Sequence, residues 1–251
     1  MQGAFGPSRY ASDPADLASR QPQEPPGSPP LYLGVFLDTP EPFRSVGKHH
    51  HNQEVRIMRR HLSNSEIRQL LSAVDLRSPF GRRDFLLIMF LYHTGLRVGE
   101  CSRLLVRLVS RDGQAFESLD LPAMFCKGPR GRVVPLNATA RVCIEKMLQF
   151  NKSRGLSVAP AAPLFQNSKH CPLSVRSIQL LLQQYRDAAG LEIAATPHTL
   201  RHSHATALHE SGAPSRVVQA GLGHRRLKTT ERYLGVGSAE SQHQHYRALG
   251  G

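Results

Sequence analysis

Along most of the chain after residue 60, apolar residues recur with the period of an α-helix. Between Ile67 and Val74 they follow the i, i+3, i+4, i+7 spacing of an amphipathic helix. Ser63 and Glu66, just before this segment, fit a capping box, in which each side chain accepts a backbone N–H at the helix start. The segment from Arg82 to His93 is apolar nearly all round and therefore predicts a buried helix.

Further helices are predicted from the residues at their ends. Gly95 is suited to end the buried helix, and a new helix is expected close to Val98, with the Glu100 carboxylate favourably placed in its first turn. A last short helix is predicted around residues 229–234. The other helix starts carry an N-cap side chain or a proline, at Asn137, Ser174, Thr196–Pro197 and Pro214.

The apolar period changes between residues 113 and 136. Three segments there have the composition of short strands, namely Phe116–Leu121, Ala123–Cys126 and Arg132–Leu136. Lys127–Gly131 has the glycine and proline content of a hairpin tip. We therefore predict a mainly α fold with a small antiparallel β-sheet, an α+β class, and a basic hairpin tip.

The first 60 residues differ in composition from the rest of the chain. Half of the 18 prolines precede residue 43, and no helical or alternating period is present in this segment. Because such a composition buries little apolar surface, residues 1–60 are predicted to be largely disordered. A folded domain is expected over residues 61–237, followed by a polar C-terminal tail over residues 238–251.

Charge and cysteine content narrow the class of protein. The chain has 32 Lys and Arg residues against 19 Asp and Glu residues, a formal charge of +13, which favours nucleic acid as a partner over a membrane surface. The longest apolar run, Phe85–Tyr92, is too short to span a bilayer. The 4 cysteines form no C-x-x-C pair, which argues against a zinc site or a disulfide framework. We expect a cytoplasmic, nucleoid-associated protein.

Groups suited to phosphate chemistry lie near the C-terminal end. His198 and Arg201 are on one face of a helix if their segment is helical, and His224 precedes Tyr233 across a turn marked by glycines. Arginine binds phosphate oxygens bidentately, and a tyrosine phenol can attack phosphorus to form a covalent intermediate. The combination suggests chemistry on a phosphate diester.

Several motifs, in this order, resemble those of the tyrosine recombinases of the phage integrase family. They are Thr94–Glu100, Cys126–Leu136, His198–His202, Leu222–His224 and Tyr233. A single H-x-x-R motif is a weak signal, whereas the whole set in register is specific. The resemblance implies the catalytic-domain fold of that family. Typical members also carry a helical core-binding domain before the catalytic one, and residues 1–60 are not expected to hold a full one.

The resemblance implies a role for each matching cation. Arg97 and Arg201 would clamp the non-bridging oxygens of the scissile phosphate and offset the charge of the transition state. An ion pair between Arg97 and Glu100 at the helix start is an alternative that can coexist with this role. Lys127 would protonate the departing 5′ oxygen, because an ammonium on a flexible stem is a better acid than a guanidinium.

The remaining matches complete the implied site. His198 resembles the general acid or base near the nucleophile, His224 a donor to a phosphate oxygen, and Tyr233 the nucleophile itself. Glu100 would orient Arg97 or His198 from behind. No metal or cofactor is expected, because the two arginines do the work of a divalent ion.

Other residues of the same types receive different interpretations. Arg130, Arg132 and Arg225 are predicted to contact DNA, and a plain phosphate contact is also an alternative role for Lys127. His202 and His204 match no role in the family and are expected to be structural. Tyr92 and Tyr185 lie on apolar helix faces, so they are expected in the core rather than as nucleophiles.

The resemblance implies a site-specific DNA recombinase, integrase-like, that cleaves and rejoins strands through a 3′-phosphotyrosine. Its partner would be double-stranded DNA with specific recombination sites. A free monomer is expected to assemble as a homotetramer on paired sites, with residues 238–251 as a possible segment for docking on a neighbouring subunit. Two alternatives stay open. One is a DNA-binding regulator or truncated recombinase without productive strand exchange, and the other is a DNA-relaxing enzyme of the topoisomerase type.

Overall fold

The computed structural model describes residues 61–126 and 131–223. Within these ranges the chain is mostly helical with short antiparallel strands, so the predicted α+β class is confirmed. The helices are α1 (Asn64–Ser72), α2 (Gly81–Thr94), α3 (Val98–Ser102), α4 (Val106–Val109), α5 (Ala138–Ser153), α6 (Val175–Ala188), α7 (Pro197–Glu210) and α8 (Ser215–Leu222). The predictions for residues 1–60, 229–234 and 238–251 lie outside the described residues.

Local capping explains where several helices begin. At the start of α1, the Ser63 N–H donates to Glu66 Oε2 at 2.8 Å while the Ser63 hydroxyl accepts from the Glu66 N–H, so the predicted capping box is confirmed. The predicted N-cap side chains of α5, α6 and α7 each accept a backbone N–H, at Asn137, Ser174 and Thr196. These bonds satisfy donors that a helix start otherwise leaves without an intrahelical acceptor.

Helix α2 is the centre of the core. Every one of its residues except Arg82 is buried, as the all-round apolar pattern predicts, and α5 and α7 pack against it. Complete burial of a side chain such as Phe90 contributes roughly 1.5–3 kcal/mol relative to exposure. Gly95 ends α2 in the left-handed conformation, with φ +59°. A side chain there would collide with the His204 ring, since a Cβ atom would lie 2.4 Å from its Cδ2.

The strands differ from the prediction in one segment. Strands β3 (Ser118–Leu121) and β4 (Arg132–Pro135) pair antiparallel, with Leu119 opposite Val134, but Ala123–Cys126 is not a strand. Ala123–Phe125 is instead a 3₁₀ turn, so that prediction was wrong. Pro122 precedes the turn with φ −60° and accepts the Phe125 N–H at 2.9 Å, because proline favours a turn start and cannot donate to a ladder.

A second, smaller hairpin was missed in the sequence. Strands β1 (Ser110–Arg111) and β2 (Gln114–Ala115) follow α4 and pair antiparallel. Asp112 and Gly113 connect them, both with positive φ, at 51° and 81°. An Asp-Gly pair is a strong signal for a two-residue hairpin turn, but the strands it joins are too short for an alternating pattern to show.

Candidate active site

The first part of the site forms where α2 ends and α3 begins. Arg97 is the extended N-cap residue of α3, and Glu100 lies three positions into that helix. The Arg97 N–H donates to Glu100 Oε2 at 2.8 Å, and Arg97 Nη1 donates to Glu100 Oε1 at 3.0 Å. The anticipated ion pair at the helix start is therefore present. The Arg97 side chain remains 30% exposed, so the ion pair leaves part of its guanidinium accessible to solvent.

Strand β4 brings a second arginine to the same carboxylate. Arg132 Nη1 and Nη2 each donate to a different oxygen of Glu100, both at 2.7 Å. The side chains of Glu100 and Arg132 are only 2% and 10% exposed. Burial alone would raise the pKa of Glu100, but hydrogen bonds from Arg132 and Arg97 outweigh it, so the net pKa is below the usual value. Glu100 is thus a buried carboxylate shared by two arginines.

Helix α7 supplies the third arginine. Thr196 caps the helix and Pro197 occupies its first turn, which starts the helix in the register that puts Arg201 inside. Arg201 is 4% exposed, and its Nη1 and Nη2 donate to the Gly95 and Leu222 carbonyl oxygens. Those two carbonyls lie at the C-terminal ends of α2 and α8, where helix dipoles favour a positive charge.

All three arginines converge on the end of α8. Its last carbonyls, at Gly221, Leu222 and Gly223, accept from Arg132 Nε (3.3 Å), from Arg201 Nη2 and from Arg97 Nη2 (3.2 Å), respectively. Such carbonyls have no intrahelical partner, and here guanidinium groups satisfy them. We call Gly221–Gly223 the carbonyl turn. It joins α3, β4 and α7 to the segment that leads into residue 224.

The histidines of α7 are placed differently from one another. His198 is exposed, and its Nε2 lies 2.9 Å from Nε2 of His202, which is buried. The pKa of His198 is lowered, first by partial burial of the ring and then by the charge of Arg201. His204 packs beneath Gly95 and burial lowers its pKa to about 4, which fits the structural role expected for it. His202 is also buried, but its bond to His198 was not foreseen.

Glu100 and Arg132 are bonded to each other, a contact that the sequence did not lead us to expect for either residue. Glu100 was expected to orient either Arg97 or His198. It bonds to Arg97, and its second bonded partner in the site is Arg132 rather than His198. Arg132 was predicted to contact DNA, yet its guanidinium is buried against Glu100. Its spacing from Glu100 in the sequence gives no signal of this pairing. The predicted site residues Lys127, Arg130, His224, Arg225 and Tyr233 lie outside the described residues.

Two tyrosines that compete for the nucleophile role lie in the core. The Tyr92 hydroxyl donates to Asn64 Oδ1 at 2.8 Å, and the Tyr185 hydroxyl donates to Asp84 Oδ2 at 3.0 Å. Burial raises the pKa of Tyr92 to about 12 and, together with Asp84, raises that of Tyr185 further. Both phenols are therefore buried, bonded and difficult to ionise, in agreement with their expected structural role.

Nowhere in residues 61–126 and 131–223 do three or more His, Cys, Asp or Glu side chains cluster so that they could hold a metal ion. Among the same residues, no helix combines the length and the apolar character needed to cross a bilayer.

Comparison with known proteins agrees with this geometry. The sequence model of the phage integrase family matches residues 60–240, and the chain belongs to that family. Tyrosine recombinase XerC of Halalkalibacterium halodurans is 36% identical over 179 residues, which cover 70% of this chain and 57% of the relative. The chain spans less than two thirds of the length of the curated relatives that it matches first.

Solved structures have the same fold. The XerA recombinase superposes with a TM-score of 0.60 at 23% identity, over 75% of this chain and 64% of that one. The XerH site-specific recombinase, solved in a post-cleavage complex with a palindromic difH substrate, gives a TM-score of 0.58 at 25% identity, over 70% of this chain and 49% of that one. The described residues thus have the fold of tyrosine recombinase catalytic domains.

Proposed function

We propose that residues 61–237 are the catalytic domain of a site-specific DNA recombinase, which cleaves and rejoins DNA strands through a 3′-phosphotyrosine intermediate. The observation that carries the proposal is the convergence of Arg97 and Arg201 on neighbouring carbonyls of the carbonyl turn. Two guanidinium groups held side by side on rigid elements can share one phosphate, and such preorganised charge stabilises a pentacoordinate transition state. Membership of the phage integrase family supports the same reaction.

In the proposed reaction the Tyr233 oxygen attacks the scissile phosphorus. The bond from phosphorus to the 5′ oxygen breaks, the phenol proton passes to His198, and Lys127 protonates the departing 5′ oxygen. Arg97 and Arg201 bind the non-bridging oxygens, and His224 donates to one of them. The 5′-hydroxyl of a partner strand then attacks the phosphotyrosine and releases Tyr233, so the phosphodiester energy is retained and no cofactor is consumed.

The partner and assembly are part of the same proposal. The substrate is double-stranded DNA with specific recombination sites, contacted by Arg130 and Arg225 among others, and the protein acts in the cytoplasm at the nucleoid. The free chain is a monomer and forms a homotetramer on paired sites, because exchange between two duplexes requires four cleavage sites. Residues 238–251 dock on a neighbouring subunit. A truncation after residue 237 should then bind single sites normally but fail to form paired complexes in gel-shift experiments.

Covalent trapping tests the proposed reaction. The full chain is incubated with a pool of nicked duplexes that have randomised core sequences, and adducts are isolated under denaturing conditions and sequenced. The wild type should form an adduct enriched in one sequence, and Tyr233→Phe should form none while it binds the enriched duplex with unchanged affinity. Tyr246→Phe is the matched control and should react normally.

Other results would identify the alternatives. An adduct with Tyr233→Phe would show that another group is the nucleophile. Sequence-specific binding by the wild type without an adduct would favour a DNA-binding regulator. Adducts without sequence enrichment, together with relaxation of any supercoiled plasmid, would favour an enzyme of the topoisomerase type.

A further inference from the structure

We propose that Arg132 is a positioning residue for strand cleavage, which acts by holding the Glu100 carboxylate that orients Arg97, and that it is not a DNA contact. This inference rests on the proposed function. The basic character of Arg132 and its position beside the hairpin tip suggest a phosphate contact from the sequence alone. The contacts of its guanidinium in the structure indicate a different role.

All three nitrogen atoms of the Arg132 guanidinium are hydrogen-bonded within the protein. Nη1 and Nη2 bind the two oxygens of Glu100 at 2.7 Å each, Nε donates to the Gly221 carbonyl at 3.3 Å, and Nη1 also lies 3.5 Å from Cys126 Sγ. A bidentate pair of this kind is geometrically specific, and the Arg132 side chain is only 10% exposed. A phosphate could reach this group only by replacing a buried carboxylate.

Glu100 transmits the position of Arg132 to Arg97. Its two oxygens accept from Arg132 and also from the backbone N–H and Nη1 of Arg97. The carboxylate is therefore held from two sides. Without Arg132, a carboxylate that is 2% exposed would lose two charge-assisted hydrogen bonds and would be free to turn toward solvent. Arg97 would then lose the fixed partner that orients its guanidinium.

The carbonyl turn restricts Arg132 from the other side. Gly223 has a φ of +63°, and a Cβ atom at this position would lie 2.7 Å from Arg132 Cδ. The aliphatic stem of Arg132 thus runs directly beside the turn that ends α8. Because Arg97 Nη2 donates to the Gly223 carbonyl, one short turn is in contact with both arginines. Displacement of Arg132 is expected to disturb Arg97 both through Glu100 and through this turn.

Arg103, which directly follows α3, offers a matched control. It also joins α3 to the segment before the hairpin tip, by donating from Nη1 and Nη2 to the Met124 and Phe125 carbonyls. It is exposed, however, and its Nε, Nη1 and Nη2 atoms donate to backbone carbonyls, including that of Gly99, rather than to a carboxylate. Arg132→Met and Arg103→Met therefore remove the same charge from neighbouring places, and only the first removes support from Glu100.

The experiment measures DNA affinity as a function of salt and the single-turnover rate of adduct formation on a nicked duplex. For Arg132→Met we expect the rate to fall on the order of 100-fold, the size of effect that a small misplacement of a catalytic group produces. The DNA dissociation constant should stay within about threefold of the wild type, with an unchanged salt slope. Arg103→Met should react at close to the wild-type rate.

A double-mutant cycle tests the route through Arg97. In an Arg97→Lys background, Arg132→Met should slow the reaction by less than about threefold, since the group that it positions is already lost. An equal loss in both backgrounds would overturn the inference. So would a weaker salt slope with equal losses in binding and rate, because those are the signs of a phosphate contact.

A second variant separates positioning from folding. Arg132→Met leaves Glu100 buried with fewer partners, so its melting temperature should fall, and the Glu100→Gln/Arg132→Met double variant should recover part of that loss. If the double variant melts like the wild type but still reacts slowly, the defect lies in positioning. Recovery of the rate together with stability would overturn the inference. Absence of any adduct with the wild type would instead overturn the proposed function.

Discussion

The imidazole Nε2 atoms of His198 and His202 lie 2.9 Å apart, one helical turn from each other on α7. The two rings are nearly perpendicular, at 89°, with centroids 4.4 Å apart. Such a bond needs one nitrogen to donate and the other to accept, so the two rings cannot both be fully protonated while it exists. The exposed ring, His198, is the proposed acid or base, and we expect the buried His202 ring to hold it in place through this bond.

Replacement of His202 should therefore affect the reaction more than DNA binding. His202→Leu removes one hydrogen-bond partner of His198 and should slow adduct formation roughly tenfold, the equivalent of one net hydrogen bond of about 1.4 kcal/mol. His202→Gln keeps a donor and acceptor near the Nε2 position and should retain most of the rate. Neither should change the DNA dissociation constant, because the ring is only 8% exposed. Equal slowing by both substitutions would indicate that ring packing matters instead of the hydrogen bond.

The stability of the fold should depend on pH through His93 and His204. Burial lowers the pKa of each to about 4, and His93 Nδ1 lies 3.1 Å from the Asn137 amide, a donor to the neutral ring. The unfolded chain, with an ordinary histidine pKa near 6.5, takes up protons first as the pH falls. The free energy of unfolding should therefore be constant above about pH 7 and decrease between about pH 6.5 and 4, by roughly 2 kcal/mol per histidine at pH 5.

Urea unfolding between pH 7.5 and 5 measures this dependence. His93→Gln removes one of these two histidines, and its unfolding free energy should vary less with pH than that of the wild type. His170→Gln, in a loop outside the core, is the control and should leave the pH dependence unchanged. An unchanged slope in His93→Gln would contradict the assignment.

The two glycines of the carbonyl turn should respond oppositely to alanine. Gly223→Ala places a side chain in the left-handed region and within 2.7 Å of Arg132 Cδ, so it should destabilise the fold by more than about 1 kcal/mol and slow adduct formation. Gly221→Ala meets nothing within 4 Å and lies in α8, so it should stabilise by roughly 0.5–1 kcal/mol. Chemical denaturation of both variants measures the change in the free energy of unfolding. Destabilisation of similar size in both variants would contradict this prediction, because it would show that the left-handed φ and the contact with Arg132 are not what distinguishes Gly223 from Gly221.

Arg201 should not be replaceable by lysine, although the charge is kept. A single ammonium does not reproduce the fork that reaches both Gly95 and Leu222, and one of these buried carbonyls would lose its donor. Arg201→Lys should lower the unfolding free energy by about 1–3 kcal/mol and slow adduct formation by more than about 100-fold, with a much smaller loss in DNA affinity. Arg216→Lys, at an exposed position on α8, should change neither. Equal losses in binding and rate for Arg201→Lys would make it an ordinary DNA contact.

Much of the helical framework was predictable because it depends on neighbours in the sequence. The caps at Ser63, Asn137 and Thr196 act over three residues, and α2 was recognisable from its uninterrupted apolar composition. The family could also be inferred, because its motifs occur in a fixed order. The strand prediction failed at Ala123–Cys126, where Pro122 and local turn hydrogen bonds override the β-prone composition.

Only the tertiary structure decided how the arginines of the site are held. Arg97 meets Gly223 across 126 positions in the sequence, Arg201 meets Gly95 across 106, and Arg132 meets Glu100 across 32. No periodicity or cap encodes such pairs, because they depend on where the ends of α2 and α8 and strand β4 come to lie after the core has packed. The sequence by itself therefore determined the local elements and the family. Packing around α2 determined that Arg132 is buried against Glu100 and that His202 lies within hydrogen-bonding distance of His198.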